Sequence, residues 1–306
     1  MLIGNYFKNI NLSFKNHKFS GLSFNSNNCK KNYIFFAIKG NNLNGNKFIN
    51  HAINKGAKTV VSNIKYEGFK KDVLFIRTNN VRRLLSETVS KIYRKKPKNL
   101  VAVTGTNGKS SIADFYLQIL KLNKKKVASI GTLGINSNKN KIGLQNTTLD
   151  SLQLAKYLSK LKDQRIDNVI LEASSHGLSQ NRLDGLKFQI GIFTNLSHDH
   201  LDYHKSYKNY LNAKLYLFRK LLKNNSNIIT DFDIPEYKKI KIVSKKKRNK
   251  IYTISLKNGD LSVISHDYHG EKQLLKVKYK NKIYEFQLNL VGKIQLKNIL
   301  MSMLAA

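Results

Sequence analysis

The chain has 306 residues, 41% of them apolar, and carries 55 Lys plus Arg against 18 Asp plus Glu, a formal charge of +37. That length suits two ordinary domains of roughly 100–200 residues, and such an excess of cations points first to polyanions and anionic membrane surfaces. The lysines, however, are spread along the whole chain among many asparagines, and zinc-knuckle and RNP-type signatures are missing, so a composition bias is read here and no specific nucleic-acid partner is expected. The single cysteine, Cys29, excludes an intrachain disulfide and a thiolate metal site. No stretch approaches the ~18 apolar residues of a membrane span, and the N-terminus lacks a charged n-region followed by an apolar h-region. A soluble cytoplasmic protein without membrane insertion, favoured as a monomer, is therefore expected.

In chain order, Tyr33–Ile38 reads as a strand, Lys47–Lys55 as a helix closed by Gly56, and Thr59–Ser62 as another strand. These make a small α/β domain over residues 1–96, ended by a helical pattern and the polar stretch Arg94–Asn99 around Pro97. A second domain, 97–306, follows. Its strands at Leu100–Val103, Val127–Ile130, Asn168–Glu172 and Gln189–Thr194 alternate with helices at Lys109–Leu122 and Ser151–Lys162, which predicts a parallel, doubly wound sheet. From Asn227 onward the pattern changes to Ile251–Ser255, Leu261–Ser265 and a pair, Leu274–Tyr279 and Lys282–Leu290, joined by a tight turn near Lys280 and Asn281; an antiparallel extension is expected. The basic run Lys245–Arg248 reads as protection of a strand edge. A last helical pattern begins after Gly292.

Three clusters carry chemistry. Leu100–Ser111 is an apolar strand, a loop punctuated by Gly105 and Gly108, and a helix start with Lys109 and Ser110. Such a loop aims backbone N–H groups at phosphate oxygens, Lys109 can reach the terminal phosphates, and the Ser110 hydroxyl can bind Mg²⁺. The spacing departs from the usual phosphate-loop pattern, with Val103 where that pattern has glycine. In the second cluster Glu172 ends a buried strand, at the edge where open parallel sheets bind ligands, and is suited to Mg²⁺ as a hard oxygen ligand. In the third, His198, Asp199, His200, Asp202 and His204 fall within seven residues after another apolar strand. Zinc is the simplest reading of that cluster alone; beside a phosphate loop, Mg²⁺–ATP chemistry is preferred, with some of the histidines merely packing.

The motifs Thr104–Ser111, Asn146–Thr148, Glu172–Leu178, Gln180 with Arg182, and Phe193–His204 followed by Ala213 and Lys214 together resemble the Mur ligase family, in its branch that adds the third peptide residue. The match runs from about residue 20 to the end. The resemblance implies a P-loop-type central domain behind a small uridine-binding domain, and an ATP-dependent acid–amino-acid ligase of peptidoglycan synthesis acting through an acyl phosphate. Its substrates would be the UDP-N-acetylmuramoyl dipeptide, ATP and an amino acid, meso-diaminopimelate ahead of L-lysine. It places ATP on Gly105, Thr106, Asn107, Gly108, Lys109, Ser110 and Ser111. One Mg²⁺ falls to Ser110 and Glu172, and a second to His200 and Lys214, the lysine carrying a CO₂-derived carbamate. Lys109, Glu172, His200 and Lys214 would be catalytic, and Asn146, Thr147, Thr148, Ser174, Gln180 and Arg182 would contact the UDP-muramoyl dipeptide. Lys214 is visible only through the resemblance; among many surface lysines its own context gives no signal.

The uridine segments correspond to Phe24–Asn27, with Ser26, and to Gly40–Gly45. There the chain departs from the family: Asn25 and Asn27 stand in place of the usual Asp and Arg flanking Ser26, and Asn44 in place of the Asp before Gly45. Nothing resembles the family's Asp-Asn-Pro-Arg motif, so the third domain, which supplies the amino-acid pocket, is expected to be absent and the 306 residues alone to have little ligase activity. An inactive ATP-binding module, a folylpolyglutamate-synthetase-like ligase and a basic polyanion-binding protein are the alternatives.

Overall fold

A computed structural model describes all residues except Asn9, Asn41, Asn42, Lys139, Gln145, Lys257, Glu271 and Val291. The Asn41 and Asn42 positions of the expected uridine segment thus lie outside the described residues. The chain divides into two compact units, Met1–Arg94 and Lys95–Ala306.

The first unit is a five-stranded sheet formed by β1 (Gly21–Ser23), β2 (Tyr33–Phe36), β3 (Ala57–Ser62), β4 (Gly68–Lys70) and β5 (Val73–Arg77), in the order β1-β2-β3-β5-β4. All pairs are parallel except β4 with β5. Helix α1 (Ile49–Asn54) is shorter than the sequence suggests, because residues Gly45–Phe48 wind as a 3₁₀ turn before it. Helix α2 (Val81–Ile92) starts where the Asn80 side chain accepts from the Arg83 N–H, which satisfies one of the unpaired first-turn donors.

The second unit opens with β6 (Asn99–Thr104), α3 (Lys109–Leu122), β7 (Val127–Gly131), β8 (Gly134–Ser137), β9 (Lys141–Ile142), α4 (Ser151–Asp163), β10 (Asn168–Glu172), α5 (Ser175–Ser179) and β11 (Phe188–Phe193). It continues with α6 (Leu201–His204), α7 (Tyr207–Tyr216), β12 (Leu222–Asp231), α8 (Tyr237–Lys245), β13 (Lys250–Ser255), β14 (Leu261–His269), β15 (Lys272–Tyr279), β16 (Lys282–Leu288) and α9 (Lys293–Ala305). The strands form one sheet in the order β16-β15-β14-β13-β12-β11-β6-β10-β7-β8-β9. Strands β6 and β10 have continuous apolar centres, Leu100–Val103 and Val169–Leu171, and β7 is buried throughout, because helices cover both faces of the sheet. One face packs Leu154, Leu158, Phe193 and Phe218, the other Ile112, Tyr116, Leu296 and Leu300.

The antiparallel extension begins later than the sequence suggests. Strand β12, unrecognised in the sequence, pairs parallel with β11, and β13 pairs parallel with β12, since α8 carries the chain back across the sheet. Antiparallel pairing starts with β14 and β15 and continues to β16, through a turn in which Lys280 and Asn281 both have positive φ, the conformation that fits the twist of a two-residue hairpin. Strand β13 is internal, so Lys245–Arg248 does not protect a sheet edge as the sequence reading had it.

Candidate active site

The carboxyl ends of β6, β7, β10 and β11 surround a cleft of about 370 Å³. The loop after β6 turns into α3 at Gly108, whose φ of 86° is left-handed, a region open to glycine at little steric cost. A Cβ there would stand 2.4 Å from Oδ1 of Asn298 on α9, which is 3% exposed. Gly105 is equally constrained, since a Cβ would meet Thr194 Oγ1 at 1.8 Å. The loop is held from β11's side: Thr106 N donates to Asn195 O, Asn107 N to Asn195 Oδ1, and Thr194 Oγ1 to Asn107 O, at 2.9, 3.0 and 2.6 Å. No side chain caps α3. Its first-turn N–H groups, which have no acceptor within the helix, open on the cleft with Lys109, Ser110 and Ser111. This is a polar, partly positive cradle that fits a phosphate group.

Lys109 Nζ lies against the loop, donating to the carbonyls of Gly105 and Thr106 at 3.0 and 2.7 Å. Burial pulls its pKa down, against the upward pull of Glu172 and Asp199. Glu172, 2% exposed, accepts from Ser110 Oγ at 3.0 Å, Thr132 N at 2.8 Å and Thr132 Oγ1 at 3.1 Å. Among the described residues no cationic side chain pairs with this carboxylate, and its neighbours are hard oxygen donors, so Glu172 and Ser110 fit a divalent cation of the Mg²⁺ class. The carboxylate rests on the backbone of Gly131, where a Cβ would come within 2.1 Å of its Oε1.

Lys214, on α7, is 1% exposed, and its Nζ donates to Gly105 O at 2.7 Å and stands 4.4 Å from the Tyr210 ring centroid. Burial, and next the repulsion of Lys109, push its pKa down to about 6, with Asp199 opposing. Tyr210, one helical turn earlier, also meets Thr106 Oγ1 at 3.1 Å. His200 faces the cleft in a left-handed conformation with φ of 51°, its ring 3.5 Å from the Asp199 carboxylate and 4.9 Å from His176, centroid to centroid. His204 is buried against Tyr203 and Tyr210, and burial, then His176, lower its pKa to about 4. It packs, as expected of some of the histidines, and among the described residues no three His, Cys, Asp or Glu side chains group as a metal site on their own. The zinc reading therefore finds no ligand set.

Of the remaining sequence-predicted residues, Thr147 and Ser174 line the cleft. Thr148 lies under it, bonding to Glu172 O at 2.8 Å and Ser174 Oγ at 3.0 Å. Arg182 donates to Gln180 Oε1 and to Thr148 O, so these three form one polar wall. Asn146 neighbours Thr147 in the loop before α4 but does not line the cleft. Ser26 belongs to the other unit, where it opens a 3₁₀ turn. There Asn25 accepts from Asn27 N, and Asn44 accepts from Asn46 N, so each asparagine keeps the capping bond that a carboxylate would make. Sequence reasoning missed Thr132, Tyr210 and Asn298. Tyr210 was detectable through its four-residue spacing from Lys214, which puts both on one helix face; the other two carried no local signal.

The profile of the Mur ligase middle domain matches residues 103–306. The chain belongs to the Mur ligase family. Among relatives named UDP-N-acetylmuramoyl-L-alanyl-D-glutamate–2,6-diaminopimelate ligase, that of Rickettsia montanensis is 39% identical over 97% of this chain and 62% of its own length, and that of Rickettsia prowazekii (strain Madrid E) 40% identical over 97% of this chain and 62% of its own length. A solved structure bearing the same name has a TM-score of 0.85 at 27% identity, over 97% of this chain and 61% of that one. The chain thus spans about 60% of the length of these Mur ligases. An FPGS–AMPPCP complex reaches a TM-score of 0.60 at 14% identity, over 73% of this chain and 61% of that one, a likeness of fold alone, so the folylpolyglutamate-synthetase alternative is only a distant one.

Proposed function

We propose that this chain forms the UDP-substrate- and ATP-binding part of a cytoplasmic ligase that adds meso-diaminopimelate to UDP-N-acetylmuramoyl-L-alanyl-D-glutamate in peptidoglycan synthesis. The observation that carries the reading is the convergence of Lys109, Ser110, Glu172 and the buried Lys214 on one glycine-bounded loop. The substrate is that named for the Rickettsia relatives.

In this reading the amides of Gly105–Ser111 and the Lys109 ammonium bind the ATP phosphates. Ser110 and Glu172 hold one Mg²⁺, and His200 with Lys214 a second; when bound, the ions neutralise charge on the transferring phosphoryl group. The glutamyl side-chain carboxylate attacks the γ-phosphorus, an O–P bond forms and ADP leaves. The amino acid's amine then attacks the acyl carbon, phosphate departs, and the amine loses one proton as the amide forms. Asn146, Thr147, Thr148, Ser174, Gln180 and Arg182 orient the muramoyl dipeptide, and residues 1–96, through Ser26, hold the uridine. The largely neutral Lys214 amine adds CO₂, forming a C–N bond and releasing one N–H proton, which turns a cation into an anionic oxygen ligand suited to a hard cation.

Titration calorimetry of Mg²⁺–ATP with residues 1–306 tests the assignment. Lys109→Ala deletes a charge-assisted contact and should weaken binding about 10- to 100-fold. Unchanged affinity in a folded Lys109→Ala protein would sink the reading. Joined to the remaining segment of a diaminopimelate-adding relative, the chain should release ADP only when the UDP-muramoyl dipeptide is present.

A further inference from the structure

The amino ends of the parallel strands form a second edge of the larger sheet, opposite the cleft. Six parallel strands, β7, β10, β6, β11, β12 and β13, start near it: Asn168 lies opposite both Val127 and Asn99, Phe188 opposite Leu222, and, past a register shift in β12, Asn227 lies opposite both Ile190 and Lys250. At about 4.8 Å per strand they make a row roughly 25 Å long. Just before these starts stand Lys124–Lys126, Arg165, Lys98, Lys187 and Lys245–Arg248, with Lys223 one residue into β12. Basic residues dispersed along the sequence thereby come together on this rim, while Glu172, Asp199, Asp202 and Asp231 lie at the carboxyl edge beside Lys109, Lys214 and Lys297.

Helix C-termini also meet this rim and favour a cation, but one per turn would serve that purpose; the runs of three and four basic residues exceed it. The carboxylates in these turns are already engaged, Asp163 by Lys95, Asp167 by Lys162 and the buried Asp184 by the Tyr216 hydroxyl. Lys187 Nζ is fixed on Lys220 O at 2.8 Å and Lys247 Nζ on Leu222 O at 2.6 Å, which holds like charges together; burial and then the repulsion of Lys187 and Lys220 keep the Lys247 pKa low. Two aliphatic side chains flank the rim from helices on opposite faces of the sheet: Leu122, 83% exposed at the end of α3, and Ile242, 61% exposed near the end of α8. Among the described residues none of the exposed large aromatics falls in these turns, so the stacking platform used for single-stranded nucleic acid is missing. Lysine runs with projecting aliphatic residues match an anionic headgroup layer over its acyl boundary.

We propose that the rim docks reversibly on anionic phospholipid headgroups, leaving the nucleotide cleft on the aqueous side. Co-sedimentation of the 306-residue chain with phosphatidylglycerol vesicles should succeed at low salt and fail at high salt, and pure phosphatidylcholine vesicles should not retain it. Converting Lys124, Lys125, Lys126, Lys245 and Lys246 to Glu should lower partitioning at least on the order of 100-fold, with the thermal unfolding curve as a check on folding. The same five positions changed to Gln serve if the reversal does not fold, with a smaller drop expected. Leu122→Ser with Ile242→Ser should weaken partitioning severalfold without altering its salt dependence. Equal binding to both lipids, partitioning indifferent to the lysine changes, or tighter retention on duplex RNA than on phosphatidylglycerol at the same salt would overturn the proposal.

Discussion

At the scale of single residues, Lys214 is where chain context and spatial context differ most. A lysine in a chain with so many surface lysines carries no mark of burial in the sequence, yet it is one of the largest fully buried side chains, held between Gly105 O and the Tyr210 ring. A pKa near 6 leaves most of the amine neutral at pH 7, the form that reacts with CO₂. At fixed dissolved CO₂, the ratio of carbamate to uncarbamylated lysine should rise with the second power of 1/[H⁺] below about pH 6, where the ammonium proton must also leave, and with the first power above it, whereas a solvated lysine would keep the steeper dependence up to its ordinary value near 10.4. NMR with ¹³C-labelled CO₂ can follow this, and a carbonyl signal that survives Lys214→Ala would remove the assignment. The same shift has a consequence for folding. Between the folded and unfolded pKa values the unfolded chain binds more protons, so in CO₂-free buffer stability contributed through this residue rises with pH from about 6 toward 10.5. Lys214→Met should flatten that slope in denaturant titrations, with the gap between the two proteins shrinking as pH rises.

At the scale of elements, the site depends on how closely strand ends approach one another. Glu172 ends β10 and rests on Gly131 at the end of β7, so Gly131→Ala must displace the carboxylate from Thr132 N and Ser110 Oγ. The fold should persist, because the cores on either side of the sheet are untouched, while the Mg²⁺-dependent part of ATP affinity falls about tenfold, the scale of one lost charge-assisted bond. ATP titrations with and without Mg²⁺ separate the two effects, and an unchanged Mg²⁺ dependence would mean that Glu172 is not a ligand. The helix α3 and the strand β10 were legible to the residue, since α3 is a strongly patterned segment between Gly108 and the polar turn at Asn123, and β10 is an apolar run between Asn168 and Glu172. Strand β12 was not, because Lys223–Asn227 is polar and the register against β11 shifts there, so its start lacks both alternation and an apolar run. Helix α7 was hidden likewise by lysines, asparagines and tyrosines interleaved on all sides. Site residues within a motif, such as Lys109, Ser110 and Glu172, were readable from their neighbours. Thr132 and Asn298 acquire meaning only when β7 and α9 are folded against the loop.

At the scale of the whole molecule, composition alone suggested an undifferentiated basic protein, and the fold sorts that charge into edges with different chemistry. The two compact units sort the ligands as well, in the reading proposed here: uridine to the unit of Ser26, Asn44 and Gly45, and ATP to the unit of Lys109. In the first unit Gly45 packs so tightly that a Cβ would stand 2.5 Å from Ile38 O, and Asn25 and Asn44 hold their turns by the same side-chain acceptance that aspartate would provide. The replacement of a charge by an amide therefore keeps the turn geometry while losing the carboxylate's stronger acceptor capacity. UDP should bind with its turns intact, and more weakly than to relatives with aspartate there; restoring Asn25→Asp together with Asn44→Asp should tighten it, by about three- to thirtyfold if each regained charge strengthens one hydrogen bond by a few tenths of a kcal/mol to about 1 kcal/mol. Hydrogen exchange distinguishes the units in one experiment, because a ligand slows exchange at the amides whose opening it opposes. Saturating UDP should protect amides within residues 25–29 and 44–49, Mg²⁺–ATP those within 105–112, and the Asp-restored chain should reach the first pattern at lower UDP. Protection of residues 105–112 by UDP alone, or an unaltered UDP requirement after both restorations, would show that uridine is not read by these turns.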